Sequence, residues 1–313
     1  MMRKSNSKMF KTIDEQITIL RGKGLIIDNN DETKDLLLRE NYFFISGYRH
    51  LFMKPGQKDV FLQGTTFEEL YATFVFDRKM RNIFFKNILI VENNIKSIIS
   101  YQLSKKYGYK EKDYLKPSNF SEDRLKIRKV KDVLNKMHRQ IRVNTPKHTA
   151  TMHYIDNYGY IPLWILVKVL SFGIVSELYG ILKQEDKREI SELYNIDADT
   201  LERYLILLSN FRNVCAHEDI LYDHKTQRII PDSKYHELLN IEKIEDIYRY
   251  GKNDLYCLVI ILKTMLRREE FEEMIEEIRE EVEILDACID VIPLESILLR
   301  IGFPKNWYDI KEL

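Results

Sequence analysis

Thr66-Phe67-Glu68-Glu69-Leu70-Tyr71-Ala72-Thr73-Phe74-Val75-Phe76-Asp77 begins the segment that decides the fold. Phe67, Leu70, Tyr71, Phe74 and Val75 recur at steps of three and four, the spacing that lines one face of an α-helix. Ile83, Phe84, Asn87, Ile88, Val91 and Ile95 continue the period, so one helix is expected from Thr66 to about Tyr107. Upstream, residues 11–22 read as a short helix with a capping box between Thr12 and Glu15. Residues 31–53 hold a second helix and the aromatic segment Asn41-Tyr42-Phe43-Phe44-Ile45-Ser46-Gly47-Tyr48-Arg49-His50. A loop follows at 54–65, with room for a brief strand pair. Downstream, 108–122 is a break and 122–143 a basic helix. Thr145-Pro146 opens a second break, and an apolar helix runs from Pro162 to about Leu182. Helices are expected at 185–194, 198–214, 253–266 and 268–285, with a polar loop and a small hairpin within 218–236. Residues Ile301 to Trp307 form a closing turn with aromatic anchors.

The 313 residues are 44% hydrophobic and 31% charged, with 11 Gly and 7 Pro, which is enough apolar material for a core and favours helix over sheet. The expected class is all-α, divided as 1–60, 61–266 and 267–313. Three cysteines, Cys215, Cys257 and Cys288, with no C-x-x-C pair, speak against a disulfide framework or structural zinc and suit a reducing cytoplasm. The polar start, Met1 to Lys8, lacks an apolar core behind its charges, so no signal peptide is expected. Tyr160 to Leu182 is interrupted by Lys168 and Glu177 and reads as a buried helix, with no membrane association.

Formal net charge is zero, so any attraction for a polyanion must be local. Lys96 to Lys147 holds 15 Lys and Arg against 5 Asp and Glu, while Leu266 to Asp290 holds 3 Arg against 11 Asp and Glu. One reading is an RNA-backbone groove on the first segment, carried by Arg124, Lys126, Arg128, Lys129, Lys131, Arg139 and Arg142, with the second as an acidic counterweight. The other is two solvated helix faces paired with each other. His138, His148 and His153 are RNA-contacting or simply exposed. Tyr48 and Arg49, with Tyr42 and His50, either stack on bases and grip phosphates or form an aromatic hinge against the core.

The chemistry-bearing segment is Arg212-Asn213-Val214-Cys215-Ala216-His217, at the end of the apolar run Leu205 to Phe211. RNA carries its own nucleophile, the 2′-hydroxyl. Cleavage needs a group that moves protons near neutral pH, which His217 supplies, and a fixed cation on the phosphate, which Arg212 supplies. No H-E-x-x-H, acidic triplet or Gly-rich phosphate loop is present, so neither metal nor cofactor is expected. Cys215 reads as a packing residue. Five residues of ideal helix turn two side chains about 140° apart. Arg212 and His217 therefore converge only if the helix ends between them or if two copies meet at a two-fold axis.

This segment resembles the Arg-Asn-x-Cys-Ala-His stretch of the Abi-like (abortive infection) bacterial proteins, within the HEPN superfamily of helical nucleases. Asn41 to Tyr48, Phe76-Asp77-Arg78-Lys79-Met80-Arg81 leading into Val91-Glu92, Pro162-Leu163-Trp164 leading into Leu170-Ser171-Phe172-Gly173, and Gly302 to Trp307 look like the same family. The resemblance implies a HEPN-like helical bundle with an N-terminal helical extension and a C-terminal helical tail. It implies phage defence, a metal-independent endoribonuclease or toxin, and RNA as substrate or as a structured noncoding partner. Arg212 and His217 carry over as the catalytic pair with Asn213 as polar partner, in a homodimer that an antitoxin could control. The chain departs from many relatives at Glu218 and at Asp223-His224, which puts phosphate contacts by that loop in doubt. A non-cleaving RNA-binding module is the competing expectation, and a nucleotidyltransferase partner modified at Tyr222 a third. Asp77, Arg78 and Glu92 are expected to form an internal ion-pair network that could orient Arg212. Trp164 and Phe172 are expected in the core, with Ser171-Phe172-Gly173 at a close helix crossing.

Overall fold

The computed structural model describes residues 9–57 and 59–313; the polar start expected at Met1 to Lys8 lies outside the described residues. The chain folds as α1 (Ile13–Gly22), α2 (Asn30–Glu40), α3 (Tyr42–Ser46) with a 3₁₀ turn at Gly47–Phe52, α4 (Phe67–Tyr107), α5 (Glu111–Tyr114), α6 (Ile127–Asn144), α7 (Thr149–Tyr158), α8 (Leu163–Val169) and α9 (Phe172–Ile181). Then come α10 (Gln184–Ser191), α11 (Ala198–Ala216), α12 (Lys234–Leu238), α13 (Leu255–Met265), α14 (Arg268–Asp286) and α15 (Leu294–Arg300). A two-stranded antiparallel ribbon, β1 (Lys243–Ile244) and β2 (Ile247–Tyr248), completes the fold. The architecture is all-α, as the composition and periodicity led us to expect.

The central helix α4 is capped at both ends. Thr66 accepts the Glu69 amide while Glu69 accepts the Thr66 amide, and Gly108 terminates the helix at φ +92°, which a residue bearing a Cβ adopts at a cost. The second oxygen of Glu69 accepts the amides of Asp290 and Val291 at 2.8 and 2.9 Å. One N-cap carboxylate thus also ties down the segment after α14. Around α4 pack α14, α11, α8, α13 and α9, so its apolar positions line the core on several sides.

Four expectations are corrected. The apolar run 162–182 is two helices, because Ser171 caps α9 with its hydroxyl on the Ile174 amide and so restarts the chain. Helix α7 falls where a break was expected. The basic helix begins at Ile127, because Asp123 holds a turn through the Leu125 amide and leaves Arg124 outside the helix. The small hairpin lies at 243–248, beyond the loop expected to hold it. The crossing at Gly173 is as expected: a Cβ there would stand 3.4 Å from Ser209 Oγ of α11.

Asp254 caps α13 from a buried position, accepting the amides of Gly251 and Cys257 at 3.0 and 3.1 Å. Gly302 packs against it so closely that a Cβ would stand 2.2 Å from its carboxyl carbon. Burial pushes the Asp254 carboxyl from 3.8 up to about 7. A folded-state pKa raised in this way contributes stability below pH 4 that is lost as pH rises through 7. Between pH 4 and 8 the stability of the wild type should fall relative to Asp254→Asn by about 4 kcal/mol. Denaturant melts of both proteins across that range check the slope, and parallel curves would refute it.

Candidate functional site

The segment predicted to carry chemistry lies on the last turns of α11, which continues unbroken through Ala216 with His217 as its C-cap. The helix ends only at Ala216, and the His217 amide still donates to the Asn213 carbonyl at 3.0 Å, so the chain does not turn back between Arg212 and His217 and the first of the two routes to convergence is closed. Helical phase places His217 within about 40° of Asn213 and about 140° from Arg212. Asn213 and His217 are both exposed, and neither side chain has a hydrogen-bond partner among the described residues.

Arg212 faces α4. Its Nε stands 3.7 Å from Glu92 Oε2, and its guanidinium lies 5.5 Å from the Phe85 ring centroid. The other Glu92 oxygen accepts Lys96 Nζ at 2.6 Å. Two cations thus share one buried carboxylate, and the terminal nitrogens of the Arg212 fork make no hydrogen bond among the described residues. Neither Arg212 Nε nor Glu92 Oε2 has one. That is a cation held in place by charge and an aromatic face, with its fork left over for two oxygens of a phosphate. Phe85 and Lys96 were missed as site residues. The Glu92–Lys96 spacing of four within a helix was the available signal for the second.

The loop after His217 is anchored by a buried cluster. Tyr48 Oη donates to Asp77 Oδ2 at 2.6 Å, Arg81 forms an ion pair with the same oxygen, and the Leu221 amide donates to it at 3.1 Å. Arg81 also reaches the Asp219 carbonyl at 3.4 Å and Tyr48 Oη at 3.2 Å. Below the cluster, a Cβ on Gly47 would stand 2.5 Å from Ile220 Cδ1. Asp77, Arg78 and Glu92 therefore do not form a single network. Asp77 pairs with Arg81, Arg78 with Glu40, and only Glu92 reaches Arg212.

Tyr48, expected among the RNA contacts, is 1% exposed, and its hydroxyl is already engaged; it belongs to the hinge reading, because α4 and Tyr222 enclose its ring. Arg49 is half-buried, 3.8 Å from Asp59. Tyr222 is 3% exposed and its hydroxyl donates to the Gly47 carbonyl, so the expectation of modification there is overturned by burial. Of the departures from the relatives' pattern, Asp223 pairs with Arg300 of α15 at 3.1 Å, and His224 Nε2 bonds Asn210 Oδ1 at 2.7 Å. Burial pushes the Cys215 thiol up to about 12, which suits packing and not nucleophilic attack.

The basic helix sorts its charges by face. Lys129 lies 3.9 Å from Glu202, Lys136 pairs with Glu177 at 2.6 Å, and Lys126 reaches the Gly180 carbonyl at 3.4 Å. Arg128, Lys131, Arg139 and Arg142 are exposed and have no ion-pair partner among the described residues. At about 100° per residue these four fall within an arc of about 80° and span about 21 Å. Arg124 is likewise exposed. The acidic α14 does not pair with this segment; its Glu273, Glu277 and Glu281 meet Lys86 and Lys79 of α4.

The chain belongs to the Abi-like protein family, whose model matches residues 35–223, from the middle of α2 to the loop after the Arg212–His217 segment. That membership connects it with abortive infection, a form of phage defence. No curated protein and no solved structure matches it. Among the described residues no helix is long and apolar enough to cross a membrane.

Proposed function

We propose that this protein is a HEPN-type, metal-independent endoribonuclease of phage defence, in which Arg212 of one copy and His217 of a second form the cleft of a homodimer. The observation that carries the reading is the phase of α11: an unbroken helix holds an exposed histidine and a carboxylate-held arginine on different faces. His217 accepts the proton of a 2′-hydroxyl, the 2′-oxygen bonds to phosphorus, and the P–O5′ bond breaks with its oxygen taking a proton from water. Arg212 meets the charge that gathers on the phosphate oxygens. The products are a 2′,3′-cyclic phosphate and a 5′-hydroxyl.

Removing the base should slow cleavage about 10²–10⁴-fold and removing the cation about 10²–10³-fold. His217→Ala and Arg212→Ala are assayed on total RNA with end-group analysis, and cleavage by both at the parental rate would falsify the assignment. The unpaired stripe on α6 favours a second reading, a module that holds a structured noncoding RNA without cutting it. An RNA that copurifies with intact ends, and binding that survives His217→Ala, would select that reading. In either case an antitoxin remains a proposed partner.

A further inference from the structure

Trp164, expected in the core, is 43% exposed and stands in a closed circuit of surface rings. Tyr154 and Tyr158 of α7 have centroids 5.3 Å apart, Tyr158 and Tyr160 6.3 Å, Tyr160 and Tyr109 5.6 Å, and Tyr109 and Trp164 6.1 Å. Trp164 Nε1 closes the circuit by donating to Tyr154 Oη at 3.5 Å. Tyr158 is 57% and Tyr109 44% exposed. The core beneath α8 is filled by Leu163, Ile165, Leu166 and Val167, and of the five rings Tyr154 alone packs against the core. Aromatic surface gathered in the open on this scale marks a place where something binds.

The surroundings select the ligand. Lys110 Nζ lies 5.0 Å from the Tyr160 centroid and 5.9 Å from that of Tyr109. Lys168 is exposed one turn beyond Trp164, on the same side of α8. Neither lysine has an ion-pair partner among the described residues, and α6, with its row of free cations, packs on both α7 and α8. Asp156, between Tyr154 and Tyr158 in sequence, is an exposed carboxylate, and Glu111 beside Lys110 is engaged by the Ile161 amide. A protein partner would have to desolvate the two lysines, whereas the centre of a protein interface is depleted of charge. A polyanion with aromatic faces meets rings and cations together.

We propose that this circuit is a stacking platform for unpaired bases of single-stranded RNA, with Lys110 and Lys168 on the flanking phosphates. Every base has a π-face, so the platform takes RNA with little regard to sequence. The proposal shares its ligand class with the proposed function and does not depend on cleavage at Arg212 and His217.

The chain has two tryptophans, and the other, Trp307, is buried, so quenching by a bound base reports Trp164. The His217→Ala protein, which should leave RNA intact, is titrated with an oligouridylate of roughly 10 nucleotides, within the site sizes of such surfaces. We expect saturable quenching, lost in Trp164→Phe while filter binding persists. Tyr158→Ala and Tyr109→Ala should each weaken binding about tenfold or more, with unchanged circular dichroism. A perfectly paired duplex, whose bases are already stacked, should not quench. Saturation without quenching, or wild-type affinity in both tyrosine variants, overturns the proposal. Quenching that follows protein concentration in the absence of RNA would do so as well, by assigning the rings to a second copy.

Discussion

Mixing two inactive proteins, Arg212→Ala and His217→Ala, should restore RNA cleavage to about a quarter of the wild-type rate. Free exchange of subunits makes half of the dimers mixed, and each mixed dimer keeps one of the two pairings between an arginine and the partner's histidine. The expectation follows from α11, which runs on through Ala216 and so keeps the two residues on separate faces of one copy. If both groups acted within one copy, the mixture would stay as inactive as its components. The assay needs only the two variants, an exchange step and end-group analysis of the RNA. Neither substitution touches the core: His217 is exposed, and Arg212 is half-buried beside Glu92.

Asp77→Ala should lower the unfolding free energy by about 3–5 kcal/mol, the cost of breaking a buried ion pair by removing one member. Asp77 serves three donors at once: the Tyr48 hydroxyl, the Arg81 guanidinium and the Leu221 amide. Without it Arg81 is left as a buried charge with no counter-ion, and the 3₁₀ turn and the loop lose the carboxylate that takes a donor from each. Asp77→Ala combined with Arg81→Met should recover much of the loss, since the stranded charge goes with the second change. An unfolding free energy from denaturant melts for Asp77→Ala within about 1 kcal/mol of wild type would show that the cluster is not what anchors the loop. The same variant should reduce cleavage, because the backbone immediately after His217 hangs from this point through Asp219 and Leu221.

The elements that could be read from the sequence were those with local instructions. Helix α4 shows a sustained apolar period, and α1 announces its own start with Thr12 and Glu15, whose capping box is present as expected. The interruption at Ser171 was hidden, since a serine within an apolar run is as compatible with a helix interior as with a cap. The aromatic residues were hardest to place. Tyr48, read either as an RNA contact or as a hinge against the core, is enclosed; Trp164 was expected inside and stands in the open. Composition does not decide which ring is covered, because covering depends on partners distant in sequence: Asp77 and Tyr222 for one, Tyr109 and Tyr154 for the other. The Arg212–His217 segment was recognisable from its residue types, while the hold of Glu92 and Phe85 on Arg212 required the packing of α11 against α4.

Helix phase at the end of α11 also bears on dose. When a catalytic unit needs two chains, its amount rises with the square of chain concentration at low abundance, so halving expression cuts activity about fourfold. A toxic enzyme divided in this way is almost silent at basal levels and responds steeply once chains accumulate or are brought together. In the proposed homodimer, the 140° between two side chains would thereby set a threshold for the cell.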